Sequence, residues 1–199
     1  MRLVLIGPPG CGKGTQAARV AAASHVPHIM TGEILRRAVA SGSMLGEAVR
    51  EAMISGDLVS DEIITDLVAE QMADLDAGIG FVLDGFPRTV EQAIALDVLM
   101  EERGALAVIE LAVPEDELVL RLRRRRDIDA REDDDEAVVR ERLAVYHRLT
   151  KPVLDFYKAR RALVTVNGHL PPEEVTERIM LAADPIFDTY FDSVAGRIE

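Results

Sequence analysis

From residue 7 to residue 15 the chain reads Gly7-Pro8-Pro9-Gly10-Cys11-Gly12-Lys13-Gly14-Thr15, with the apolar run Leu3-Val4-Leu5-Ile6 before it and an alanine-rich helical pattern after it. Glycine and proline at that density break helix and strand alike, so the segment must be a turn that carries a strand directly into a helix. Such a unit opens a parallel sheet, because a strand followed at once by a helix cannot form a hairpin. The rest of the chain agrees. Short apolar or β-branched runs at 28–30, 81–83, 107–111 and 163–166 read as buried strands. Helical patterns lie between them at 15–23, 31–40, 61–74, 89–103, 114–126 and 137–151. The expected fold is α/β, a five-stranded parallel sheet with helices on both faces. With 199 residues, 48% of them hydrophobic, one domain over 1–199 is expected. The interval 31–80 holds only helix-like segments, so 31–60 is expected to be a helical insertion. Nothing in 184–199 is diagnostic beyond a last helix with a frayed end.

The turn also carries chemistry. It follows G-x-x-x-x-G-K-[ST] with one extra residue, Gly14, between lysine and hydroxyl, the pattern of a P-loop. Its glycines allow backbone N–H groups to face a phosphate, and the following helix adds the positive end of its dipole. Lys13 is expected to neutralise the β- and γ-phosphates and Thr15 to help hold Mg²⁺. The shape of the loop, being made by backbone, is expected not to depend on the Lys13 side chain. Phe81-Val82-Leu83-Asp84 is an apolar strand ending in an acid. Alone, such an acid reads as a turn or helix cap; downstream of a P-loop, Asp84 reads as a second Mg²⁺ contact, often through water. A P-loop by itself leaves ATPase, GTPase and kinase open.

Charge narrows the partners. The formal net charge is -12, which repels nucleic acid and anionic membranes, so any anion site must be local. Lysine occurs only at Lys13, Lys151 and Lys158; the other basic residues are arginine. The run Arg121-Leu122-Arg123-Arg124-Arg125-Arg126 would pass for a solvated helix face or a nucleic-acid patch. The seven carboxylates between Asp127 and Glu136 cancel its attraction for a polyanion, yet selected arginines can still meet a compact triphosphate. Cys11 is the single cysteine, which excludes an internal disulfide or a multi-thiolate zinc site and fits a reducing, cytoplasmic setting. The apolar N-terminal run is too short for a signal-peptide core or a membrane span. His25, His28, His147 and His169 lack metal spacing or an adjacent nucleophile and read as packing or surface residues.

The segments that discriminate further are Asp84-Gly85-Phe86-Pro87-Arg88-Thr89 with Gln92, Thr31-Gly32-Glu33-Ile34-Leu35-Arg36, and Gly56-Asp57-Leu58-Val59-Ser60-Asp61. To these add Arg131-x-Asp133-Asp134, Tyr146-His147-x-x-Thr150-x-Pro152 and the Gly-Lys-Gly-Thr form of the loop. Together they resemble the nucleoside monophosphate kinases, and within them the adenylate kinase family, over roughly residues 1–170. The resemblance implies Mg²⁺-dependent phosphoryl transfer from ATP to AMP. It implies that Gly10, Cys11, Gly12, Lys13, Gly14, Thr15, Arg121, Arg125 and Gly168 meet ATP. Arg36 and Arg88 would hold the AMP phosphate, Thr31 and Gln92 read the adenine, and Asp57, Leu58, Val59, Gly85, Phe86 and Pro87 line that site. Arg131 and Arg142 would reach both nucleotides, and Lys13, Arg88, Arg121, Arg125, Arg131 and Arg142 would carry the charge of the reaction. Arginine suits the task, since its fork binds phosphate oxygens bidentately where lysine offers a point charge. The four-arginine run leaves the position of Arg125 open by one residue, and Asp133 and Asp134 would hold the lid closed or orient arginines rather than act as a general base.

Where the chain departs from the long-lid bacterial pattern, only 127–130 separate Arg126 from Arg131, so a short lid at 126–131 without a zinc-binding subdomain is expected. Met30 stands where a small hydroxyl residue is usual, Glu33 where Asp is more usual, and Cys11 where the family uses a small spacer. A UMP/CMP kinase shares the short lid and much of the arginine set; the Thr31 hydroxyl favours adenine. A GTPase-like switch finds no Asn-Lys-x-Asp segment to read its base. A monomer with ATP and AMP as substrates, Mg²⁺ as cofactor and no nucleic-acid or membrane partner is the expectation.

Overall fold

A computed structural model describes residues 1–75, 78–129 and 136–183. Five strands, β1 Arg2–Ile6, β2 His28–Met30, β3 Phe81–Asp84, β4 Ala107–Ala112 and β5 Leu163–Asn167, form one sheet in the order β2-β3-β1-β4-β5. All four pairings are parallel. The expected strands are all present; β1 and β3 are apolar runs buried on both faces, whereas β5 at the sheet edge is largely exposed. Successive β1 side chains divide between two cores. Val4 and Ile6 join Phe81, Leu83 and Val108 on one face, and Leu3 and Leu5 join Val82, Ile109 and Leu111 on the other.

Helices cover both faces. On the first lie α4 Asp61–Ala73 and α5 Val90–Met100, through Val68 and Leu96. On the second lie α1 Lys13–Ser24, α6 Glu115–Asp129 and α9 Pro172–Ala182, through Val20, Leu122 and Ile179. Each crossover returns the chain to the same end of the sheet, so the carboxyl ends of β1, β3 and β4 open on one crevice, where the strand order reverses about β1.

Between β2 and β3 the chain runs through α2 Thr31–Ser41 and α3 Met44–Ser55 before α4. They stand outside the sheet, as expected of an insertion. Ser43 caps α3 by accepting from the Gly46 N–H at 3.1 Å, and Gly46 presses against the Ala38 carbonyl so closely that no Cβ fits.

Three helical boundaries differ from expectation. The helix expected over 137–151 is instead α7 Glu136–Val145, a π-turn at Tyr146–Thr150, and α8 Lys151–Ala159. Lys151 N–H donates to the Tyr146 carbonyl five residues back, and Pro152 falls at the start of α8, where its missing N–H is not needed. Helix α6 runs on to Asp129, so most of the lid expected at 126–131 is helix; Arg131, with Asp133 and Asp134, lies outside the described residues, as does the tail 184–199. Helix α9, which the sequence reading did not place, is marked by Pro172 and by Glu173 and Glu174 in its first turn.

Candidate active site

The strand-to-helix turn forms as the sequence demands. Leu5 and Ile6 lead out of the sheet, Gly10 and Gly12 take φ of 83° and 97°, and α1 begins at Lys13 with its amino end toward the crevice. Lys13 Nζ donates to the carbonyl oxygens of Gly7 at 2.6 Å and Pro8 at 2.9 Å. The side chain therefore bridges its own loop, a contact the sequence does not announce. Cys11 is buried under the loop, its Sγ 3.6 Å from Nζ, and packs into the core of the α1 face. That matches a spacer role.

Asp84 closes β3 beside Leu5 of β1 and is 8% exposed. Its Oδ2 lies 3.5 Å from where a Cβ on Gly14 would stand, so the carboxylate faces the first turn of α1. Thr15, in the same turn, is exposed at the crevice. A carboxylate and a hydroxyl are hard oxygen donors of the kind Mg²⁺ prefers, and the charge of Asp84 complements a cation held against phosphates. The sequence reading treated His28 as packing; its Nε2 stands 4.0 Å from Asp84 Oδ2, buried and without a hydrogen-bond partner among the described residues. Burial lowers its pKa, with Asp84 and Glu33 acting the other way.

Across the crevice, Gly85 follows Asp84 with φ 91°, and a Cβ there would lie 2.5 Å from Thr31 Oγ1 and 3.2 Å from Arg88 Nη2. Only glycine allows the Asp84 carbonyl to accept from the Thr31 hydroxyl at 3.2 Å while the Gly85 carbonyl accepts from Arg88 Nε at 2.8 Å. The Phe86-Pro87 peptide is cis, and both residues are buried. The guanidinium of Arg88 is held below its ordinary pKa by burial first, then by the charge of Arg142; Asp84 opposes this and Arg36 adds to it. Three arginines drawn from α2, the β3–α5 turn and α7 thus converge on one space. Like charges gathered in a low-dielectric recess are costly unless an anion joins them.

That space and the loop share a cleft of about 830 Å³ lined by Lys13, Thr15, Arg36, Asp84, Arg88 and Arg142 among others. A smaller recess beside it is lined by Thr31, Asp57, Leu58, Val59, Gly85 and Gln92. At the opposite end Arg121 donates through Nε to Glu117 at 2.8 Å and through Nη1 to the Gly168 carbonyl at 3.1 Å, with the Cys11 carbonyl at 3.5 Å. The sequence reading gave Glu117 no role; the Arg121 hydrogen bond holds its carboxyl below the usual value. Arg124 and Arg125 both line the cleft, whereas Arg123 and Arg126 do not, which narrows the expected arginine of the run to these two. Every described residue expected at either nucleotide lines one of these two spaces. Gln16 and Leu170 line the larger one as well and were not anticipated; Leu170 had no signal beyond lying two residues after Gly168.

A family profile described as Adenylate kinase matches residues 5–162. The chain is 45% identical over 184 residues to an adenylate kinase of Thermobifida fusca, covering 92% of this chain and 97% of that protein. It is 46% identical over 184 residues to an adenylate kinase of Xylella fastidiosa, covering 92% and 98%, and 49% identical over 181 residues to one of Xanthomonas campestris, covering 90% and 97%.

Proposed function

The chain belongs to the adenylate kinase family, and from that premise we propose how its residues carry the family's reaction, the reversible transfer of a phosphoryl group from ATP to AMP to give two ADP. The observation that carries it is the facing of two anion sites across one cleft, the loop with Lys13 on one side and the guanidiniums of Arg36, Arg88 and Arg142 on the other.

Phosphoryl transfer needs little proton chemistry; positioning and charge stabilisation supply the rate. The loop N–H groups and Lys13 hold the β- and γ-phosphates of ATP, with Lys13 exchanging its Gly7 and Pro8 carbonyl partners for phosphate oxygens. Arg121, braced by Glu117 and Gly168, meets the ATP side. Arg36 and Arg88 hold the AMP phosphate in line, while Thr31, Gln92, Leu58 and Val59 border its base. Arg125 and Arg142 approach the transferring group from α6 and α7, and Arg131 joins them by the family pattern. Asp84 and Thr15 would hold Mg²⁺, which would supply charge neutralisation to the ATP phosphates. In this reading 31–60 serves as the AMP-binding insertion and the end of α6 with the residues after it as a short lid. We also assign it a monomeric, cytoplasmic life, consistent with one cysteine and a net charge of -12. No helix among the described residues is long and apolar enough to cross a membrane.

Coupled ADP formation from ATP with AMP, UMP and CMP tests the assignment. AMP is expected to be the preferred acceptor; a preference for UMP or CMP would transfer the chain to the pyrimidine branch.

A further inference from the structure

The side-chain amide of Gln92 is fixed from both ends. Its Oε1 accepts the Arg88 main-chain N–H at 2.7 Å, and its Nε2 donates to Asp61 Oδ1 at 2.7 Å. A main-chain N–H only donates and an ionised carboxylate only accepts, so the orientation is determined. Turned over, the amide would set N–H against N–H and oxygen against oxygen. The second carboxylate oxygen, Asp61 Oδ2, accepts from the Thr89 hydroxyl at 3.0 Å, and Thr89 Oγ1 in turn accepts the Gln92 main-chain N–H at 3.1 Å. Asp61 is the first residue of α4, set there by the Ser60 cap, and its carboxylate spans to the first turn of α5. Gln92 is 2% exposed, so these bonds meet little competition from water.

An amide offers two N–H groups and two oxygen lone pairs. One of each is spent on Asp61 and Arg88, which leaves one donor and one acceptor on an amide that lines the recess with Thr31, Leu58 and Val59. A 6-aminopurine matches that pair in order, ring N1 accepting and the exocyclic amine donating. A 6-oxopurine presents the reverse order, oxygen accepting and ring N1–H donating. A glutamine free to rotate by half a turn serves both equally.

We infer that Asp61 is a specificity-determining positioning residue: by locking the Gln92 amide against the Arg88 main chain, it makes the acceptor site take 6-aminopurine monophosphates and refuse 6-oxopurine ones. The inference rests on the proposed placement of the AMP base at Gln92. Asp61 itself touches no substrate in this scheme. Its effect passes entirely through the orientation of one amide.

The test compares kcat/KM for AMP and for IMP at saturating ATP in the parent, Asp61→Ala, Asp61→Ser and Gln92→Ala. Both Asp61 substitutions are expected to lower the AMP-to-IMP ratio by about tenfold or more, as loss of one discriminating polar contact does, with the KM for ATP within about twofold of the parent. Serine ends one bond short of the carboxylate oxygens and preserves the helix start, so it carries the same expectation if the alanine variant does not fold. A role confined to tying α4 to α5 would lower the thermal midpoint and leave the ratio unchanged, and that result overturns the inference. Gln92→Ala separates the two levels. If it leaves both the AMP KM and the ratio at parental values, the placement of the base fails; if it shifts the ratio while the Asp61 variants do not, only the assignment of Asp61 is lost.

Discussion

The ammonium of Lys13 donates to the carbonyl oxygen of Gly7 at 2.6 Å, six residues back, and to Pro8 at 2.9 Å, so the loop that would receive a phosphate is closed by its own lysine. Lys13→Met removes the charge and both bonds. Transfer is expected to fall by at least roughly 10²–10³, the loss typical of one charge-stabilising donor. Unlike a purely catalytic change, it is also expected to cost about 1–3 kcal/mol of stability, since hydrogen bonds from a charged donor are lost. Urea unfolding alongside steady-state rates checks both parts; a variant retaining a tenth of the parental rate removes Lys13 from the phosphate site.

The acceptor-side arginines are expected to separate from the rest by substrate. Arg36→Ala and Arg88→Ala should each weaken AMP binding by about ten- to a hundredfold, the worth of one charge-assisted pair, and leave ATP binding nearly unchanged. Arg88 should be the more severe, because its Nε also holds the Gly85 carbonyl. Calorimetric titration with each nucleotide separately gives the comparison. AMP binding at parental affinity in Arg88→Ala would contradict the placement.

Arg125 and Arg142 line the cleft from α6 and α7. Their replacement by alanine should appear mainly in kcat, by about tenfold or more, with smaller changes in binding either nucleotide alone, because they meet charge that develops in the transition state. A variant that raises only KM would reassign that arginine to ground-state binding.

The sequence made the central strands legible because they are apolar runs buried on both faces and bounded by glycine, proline or charge, as with Leu3 to Ile6 and Phe81 to Leu83. The path from α7 to α8 was not legible. Pro152 reads as a helix stop, and nothing local announces that a π-turn opens the backbone just before it and lets the helix continue. Within the site, the loop and the acceptor arginines were readable because their motifs are contiguous. The Gln92–Asp61 bond joins residues 31 apart, and the approach of His28 to Asp84 depends on β2 pairing with β3, so both needed the folded register. In the arginine run, repetition of one residue type hid which side chains line the cleft; the helical phase of α6 narrows them to Arg124 and Arg125.

Gly85→Ala tests the hinge between Asp84 and Arg88. The added Cβ would stand 2.5 Å from Thr31 Oγ1 at a φ of 91°, so it combines a left-handed backbone cost with overlap. A loss of about 1–3 kcal/mol in stability is expected, together with a higher KM for AMP, as Thr31 and Arg88 are pushed apart. Parental stability and KM would show that the turn has room the structure does not show.

Glu117 gives a pH test. Its carboxyl is held below the ordinary 4.5, first by the Arg121 hydrogen bond, so folding favours the ionised form. The contribution is therefore present above the unfolded pKa and is lost as pH falls through the lower folded value. Between about pH 5 and pH 3 the stability of the parent should fall more steeply than that of Glu117→Gln, by a small amount that shrinks with added salt. Parallel curves would mean that the pair contributes nothing measurable.

Gly56 ends α3, and a Cβ on it would stand 3.1 Å from Cγ of Arg142 and 3.2 Å from the Val138 carbonyl oxygen, both on α7. The insertion and the helix that carries Arg142 therefore meet directly, with no part of the sheet between them. Thermodynamic reciprocity then applies to the two substrates. Whatever factor by which AMP, in settling against α3, alters the affinity for ATP, ATP must return to AMP unchanged. The contact of Gly56 with α7 is one route by which such coupling would pass.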